Sequence, residues 1–157
     1  MRVYRICDTL YAHDPFSGEG GRYSAGRWHS LGTRIAYASL EQGTAMLEVL
    51  MNVGLDTVLA AERTLVVATL PDAEVMTLDE RDWPLDWAAD LHPDTTRALG
   101  DDWVRSGDSL ALVVPSSASA PPPFNVLINP AHPAIDQLVI ERADTFDFNA
   151  RLGAARV

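Results

Sequence analysis

The chain has 157 residues, enough for one domain whose core needs neither disulfide nor metal. Hydrophobic residues make up 47% and charged residues 22%; there is no run of eighteen apolar residues to cross a membrane, and the single cysteine, Cys7, excludes an internal disulfide. A formal net charge of −10 argues against a surface that grips nucleic acid, and the opening Met1-Arg2-Val3-Tyr4-Arg5-Ile6 lacks a signal-peptide apolar region, so a cytoplasmic protein is expected.

In chain order, the alternating residues 2–7 predict a first strand. Residues 13–32, with five glycines and one proline, predict an extended loop, and residues 33–38 a second strand. Ser39 with Gln42 matches a capping box, predicting a helix from Ser39 to about Asn52 or Val53 that Gly54 ends. Residues 62–70 predict a buried strand, Pro71-Asp72 a turn and residues 73–78 a short strand. Residues 80–93 read as irregular, Asp94 as the cap of a helix reaching about Ser106, and residues 109–114 as a strand. After a loop at 115–123, two short strands are expected at 125–128 and 137–141, and the last dozen residues are expected to be peripheral. Short strands with two or three helices between them indicate a mixed α/β or α+β fold in one compact domain, with a core over about residues 2–142.

The charge is uneven. Residues 1–34 carry a balance of +2, leaving −12 for the remainder, so a small anion finds its best reception in the first segment. All twelve basic residues are arginine, which excludes lysine Schiff-base chemistry and leaves planar guanidinium forks to recognise phosphate.

Glu48 lies within the apolar run Ala45-Met46-Leu47-Glu48-Val49-Leu50-Met51, with Thr44, Ala45, Met51 and Asn52 as its helical neighbours. It is either a solvated residue of an amphipathic helix or a half-buried carboxylate with a task. Tyr37, near the end of the second strand, is either a core aromatic or a flat platform for a ligand ring. Arg27 in Gly26-Arg27-Trp28 allows close backbone approach to a ligand, or a cation–π pair with Trp28. Strand alternation puts Arg5 on the opposite face from Tyr4 and Ile6. His13, His29, His92 and His132 form no metal-ligand spacing with one another or with Cys7, and no metal is expected. A triad using Ser116 or Ser117 has no Gly-x-Ser-x-Gly elbow, and no Walker loop or dinucleotide fingerprint occurs.

Six blocks, in order, resemble the RES domain, the toxin half of bacterial Xre–RES toxin–antitoxin pairs. They are Val3-Tyr4-Arg5-Ile6; Gly20-Gly21 with Gly26-Arg27-Trp28 and Gly32; Ile35-Ala36-Tyr37-Ala38-Ser39; Ala45 to Leu50; Leu112 to Ser116; and Asn125 to Pro133. The stretch from about 55 to 108 carries no matching motif. The resemblance implies a fold like that of diphtheria-type ADP-ribosyltransferases and an enzyme that consumes NAD by hydrolysis, phosphorolysis or ADP-ribosyl transfer. It places the family's arginine at Arg27, with Arg5 as a second cleft arginine, its glutamate at Glu48, its serine at Ser116 and its tyrosine at Tyr37, with Asn125 also lining the pocket. It implies catalytic roles for Glu48, Tyr37 and Arg27, and contacts to NAD from Arg5, Arg27, Tyr37, Ser116 and Asn125. An Xre-type helix-turn-helix antitoxin is the implied partner, in a toxin–antitoxin hetero-oligomer or with the toxin as a homodimer. The competing readings are a mono-ADP-ribosyltransferase acting on a protein and a non-catalytic RES-fold module that binds a helix-turn-helix regulator.

Overall fold

In the computed structural model, which describes residues 1–153, the chain forms a mixed α/β fold around one seven-stranded sheet. Its elements are β1 (Arg2–Asp8), β2 (Ala36–Ser39), α1 (Gln42–Val53), α2 (Leu55–Ala60), β3 (Arg63–Thr69), β4 (Val75–Thr77), α3 (Asp94–Ser106), β5 (Ala111–Pro115), β6 (Phe124–Ile128), β7 (Val139–Phe146) and α4 (Phe148–Leu152). The strand order is β4-β5-β6-β2-β1-β3-β7; β4 and β5 run parallel and the other neighbours antiparallel.

Alternation along the strands sorts side chains onto two faces. Val3, Cys7, Val66, Ala68, Val113, Val126 and Ile128 pack together on one. On the other, Ile6, Leu65 and Val67 pack with Ala45 of α1, Val58 of α2 and Phe148, while Leu112, Val114 and Leu127 pack with Trp28 and with Trp103 of α3. The second face therefore carries two separate apolar clusters, one on each wing of the sheet.

The wings meet at a defect. β1 pairs with β3 along its whole length, from Arg2↔Thr69 to Asp8↔Arg63, but meets β2 at the single pair Tyr4↔Ser39. Where the ladder lapses, the Arg5 guanidinium crosses the gap and its Nη1 donates to the Tyr37 carbonyl at 2.6 Å. A strand separation of this kind opens a cleft in the middle of a sheet while the flanking pairs keep it rigid.

The structure moves several predicted boundaries. Ser39 does not cap α1: it ends β2 and its hydroxyl donates to Asn125 Oδ1 at 2.8 Å, while Glu41 occupies the N-cap without a side-chain hydrogen bond. Asp94 begins α3 but Pro93 precedes it as the cap residue. The short helix α2 and most of β7 went unpredicted: α2 spans fewer than two turns, and β7 is an edge strand with exposed residues 139–145 and so lacks a buried face to mark it. The end of the chain is not wholly peripheral, because Phe146 and Phe148 are buried, their rings 4.9 Å apart and tilted by 72° against the α1–α2 cluster; the expectation for residues 154–157 lies outside the described residues. Among the described residues no helix is long and apolar enough to cross a membrane.

Candidate active site

The cleft at the sheet defect is shaped by three elements. β2 and β6 run side by side with Ser39 opposite Asn125 and Tyr37 opposite Leu127, so Tyr37, Ser39 and Asn125 face the same way. α1 lies over that face, and Glu48 stands on its flank, half-buried, with Ala45, Met46, Val49 and Leu50 packed inward. The end of β5 brings in Ser116, which is 1% exposed.

These side chains converge on one carboxylate oxygen. Glu48 Oε1 accepts from Ser116 Oγ at 2.5 Å and from Asn125 Nδ2 at 2.6 Å. Asn52, one turn along α1, donates to the Glu48 carbonyl at 2.8 Å and to Oε2 at 3.3 Å. Ser39, bonded to Asn125 Oδ1, sets which way that amide points. The carboxylate is thus oriented by a network whose members are themselves held, and Oε2 keeps unused acceptor capacity toward the cavity.

Tyr37 is oriented just as firmly. Its hydroxyl accepts from the Trp28 amide at 3.1 Å and lies 2.7 Å from His29 Nδ1. His29 Nε2 lies 3.0 Å from the Ser24 carbonyl, an acceptor only, so Nε2 carries the proton and Tyr37 donates to Nδ1. Burial pushes the Tyr37 phenol well above its ordinary pKa, so it remains neutral. Gly26 is required here: a Cβ would stand 2.6 Å from His29 and 2.9 Å from the Tyr37 hydroxyl.

Burial also lowers the His29 pKa below its ordinary 6.5, against a weaker opposing pull from the Ser24 carbonyl. On acidification the unfolded chain takes up the proton first, so the stability that neutral His29 lends is complete above pH 6.5 and declines as the pH falls toward the folded-state value. The Tm is expected to drop as the pH falls below 6.5, and His29→Gln to flatten that drop in part, because burial lowers the His92 pKa in the same direction. An equal slope in the variant, read by scanning calorimetry, removes His29 as a cause.

Arg27 lines the same cleft, which encloses about 530 Å³ together with Tyr37, Glu48, Ser116 and Asn125. Its Nη1 donates to the carbonyls of Trp87 at 2.6 Å and Ala89 at 2.9 Å, which fixes the chain between β4 and α3 beside the cleft. Burial lowers its pKa and the Glu48 charge works against that shift. Its neighbour Trp28 is buried against Trp103, Leu112 and Leu127. Arg5 lines the adjoining floor of about 220 Å³ with Tyr37, Glu48 and Asn125. Of the six residues singled out in the sequence, the cleft and its floor thus take in all six.

The supports of the cleft are scarcely marked in the sequence. Residues 26–30 are held by α3: Thr96 Oγ1 donates to the Arg27 carbonyl at 2.5 Å, Arg97 Nε to the Gly26 carbonyl at 3.2 Å, and Asp101 accepts from the Ser30 amide at 3.0 Å. Nothing in the local pattern of 80–101 signals contact with residues 26–30. Asn52 did leave a signal, its i+4 spacing from Glu48. Among the described residues no group of three or more His, Cys, Asp or Glu side chains is arranged to hold a metal ion.

The RES domain family matches residues 2–150. This chain belongs to the RES domain family. It is 35% identical to a protein named Toxin Res from Yersinia enterocolitica over 84% of this chain and 86% of that one. With a Toxin Res from Photorhabdus laumondii it shares 32% identity over 99% of both, and with a Prs ADP-ribosylating toxin from a Sphingobium species 34% over 78% of this chain and 77% of the other. The fold is similar to that in the crystal structure of the M. tuberculosis MbcT–MbcA toxin–antitoxin complex, with a TM-score of 0.75 and 15% identity over 92% of this chain and 83% of that one. The RES fold thus accounts for the mixed sheet expected from the sequence.

Proposed function

We infer that this RES protein is the toxin of a toxin–antitoxin pair and that it breaks the nicotinamide–ribose bond of NAD, depleting the dinucleotide and arresting growth. The observation that carries the reading is the Glu48 carboxylate, held on Oε1 by Ser116 and Asn125 and sharing a cleft with the fixed Tyr37 ring. The names of the curated relatives, two toxins and one ADP-ribosylating toxin, support it.

In this reaction the bond electrons leave with nicotinamide, which departs neutral and needs no proton. The ribose carbon becomes electron-poor, and an acceptor oxygen then forms the new bond. One carboxylate is therefore sufficient. Glu48 stabilises the growing positive charge and accepts a hydrogen bond from a ribose hydroxyl through Oε2, while Ser116, Asn125 and Asn52 keep it from swinging away. Tyr37 offers its ring to nicotinamide. Arg27, and Arg5 below it, answer the pyrophosphate charge; Ser116, still donating to Glu48, can accept from the carboxamide NH₂ through its remaining lone pair. Purified protein mixed with NAD is expected to release free nicotinamide, measured by chromatography; an absence of release over hours with folded protein defeats the reading.

Arg27→Ala is expected mainly to raise KM, as a residue that grips the substrate equally in ground and transition states should. A fall in kcat at constant KM gives Arg27 a role at the reacting atoms instead.

The acceptor is open between water, phosphate and protein, and the Sphingobium relative's name favours keeping mono-ADP-ribosylation of a protein as the second reading. Mass spectrometry of cell proteins after expression separates the two by a mass addition on protein. The partner we infer is an Xre-type helix-turn-helix antitoxin that covers the cleft, consistent with the complex whose fold this chain shares. The single domain would work in the cytoplasm as a hetero-oligomer with it, or as a homodimer, and without touching nucleic acid itself.

A further inference from the structure

Beside the cleft lies a second cavity of about 550 Å³, sharing Arg5, Ser24, His29 and Tyr37 with the cleft and its floor. Its unusual feature is Arg63, the first residue of β3. That side chain is 7% exposed, yet among the described residues its guanidinium has neither a hydrogen bond nor an ion pair. The buried side-chain nitrogens left without partners among the described residues are Arg63 Nε and Arg5 Nε, and both residues line this cavity. Asp8, Asp14 and Glu19 also line the cavity, but none lies within ion-pair distance of Arg63: Asp8 accepts from the Leu10 amide at 2.9 Å, Glu19 pairs with Arg34 at 3.2 Å and Arg22 at 3.6 Å, and Asp14 is exposed.

A buried, always-charged group with no counter-ion is costly, so a fold keeps one where an anion completes it. A guanidinium fork matches the paired oxygens of a phosphate. At the rim, Tyr11 and Tyr23 leave 66% and 81% of their surface in solvent, aromatic rings suited to lie against a base. We propose that the cavity beside Tyr37 is a phosphate-binding site closed by Arg63 together with Arg5. Assigning that phosphate to the adenylate half of a dinucleotide whose other end reaches Glu48 rests on the NAD-cleaving reading; the anion site itself does not.

The test is calorimetric titration of the full chain with AMP, inorganic phosphate and nicotinamide, with Tm recorded for each ligand-free variant. AMP is expected to bind the native chain, and Arg63→Met to weaken it at least tenfold, about 1.4 kcal/mol. Arg63→Lys, which keeps the charge and loses the fork, is expected to weaken it several-fold, with nicotinamide binding unchanged in both. The ligand-free Tm of Arg63→Met should equal or exceed that of the native chain, because an unpaired buried charge has been removed. Phosphate competing as well as AMP assigns the site to free phosphate; AMP alone assigns it to the nucleotide. Equal AMP affinity in the native chain and Arg63→Met, no binding of either anion, or a lower ligand-free Tm in that variant overturns the inference. AMP held by Arg63 in a protein that leaves NAD intact would sink the cleavage reading and spare the site; NAD cleavage with AMP affinity indifferent to Arg63 would do the reverse.

Discussion

Glu48→Gln is expected to slow nicotinamide release at least a hundredfold, about 2.7 kcal/mol of barrier. The substitution preserves shape. A glutamine carbonyl oxygen in place of Oε1 can still accept from Ser116 and Asn125, so those two orienting bonds survive and only the long Asn52 bond to Oε2 is lost. What disappears is the negative charge facing the developing cation and one acceptor at the Oε2 position, which becomes an NH₂ donor. The loss should therefore fall on kcat, with KM little changed, and the Tm should stay near the native value. A variant that turns over at the native rate takes Glu48 out of the chemistry, whatever the cleft looks like. Ser116→Ala and Asn125→Ala remove the groups that hold Glu48, and their effects should not add with its loss, because all three act through one carboxylate.

The second large effect is on stability. Gly100 of α3 lies so close to the chain below it that a Cβ would stand 1.8 Å from the Trp28 carbonyl oxygen and 2.8 Å from its carbon. Both partners are backbone, so no side chain can swing aside, and the helix must lift. Gly100→Ala is expected to cost about 3 kcal/mol, a fall in Tm of roughly 6–12 °C for a chain of this size. The damage should reach the cleft, since α3 holds the Gly26, Arg27 and Ser30 backbone through Arg97, Thr96 and Asp101. Gly43→Ala is the control: it lies exposed in α1 with open space where its Cβ would go, and should stabilise by about 0.5–1 kcal/mol. Equal urea midpoints for the two variants would show that the helix does not bear on Trp28.

Glu48 and Gly100 differ in how plainly the sequence marks them. Glu48 stood out because a carboxylate inside an apolar helical run contradicts its surroundings, and Tyr37, Arg27, Arg5, Ser116 and Asn125 followed from ordered blocks that resemble the RES family. Thr96 and Asp101 carried no such mark, being ordinary residues for an amphipathic helix, whereas Gly100 was a costly glycine inside a predicted helix whose packing reason only the fold reveals. At Ser39 the local capping rule misleads, because a serine three residues before a glutamine satisfies it while the actual partner, Asn125, lies 86 residues away. Arg63 looked like any strand arginine until the fold buried it without a partner.

The amino-acid order by itself determined the alternation of β1, the buried apolar run of β3, the helical period of α1, the absence of lysine chemistry and the family resemblance, because those are properties of neighbours along the chain. Tertiary structure alone decided that β1 and β2 would touch at one pair, that Ser116 and Asn125 would share one oxygen of Glu48, and that α3 would brace the Arg27 loop. The reason is physical. Propensity and periodicity act over a few residues, whereas a cleft is made by strands and helices whose contacts depend on how the whole sheet packs, and no local preference encodes a gap between two strands.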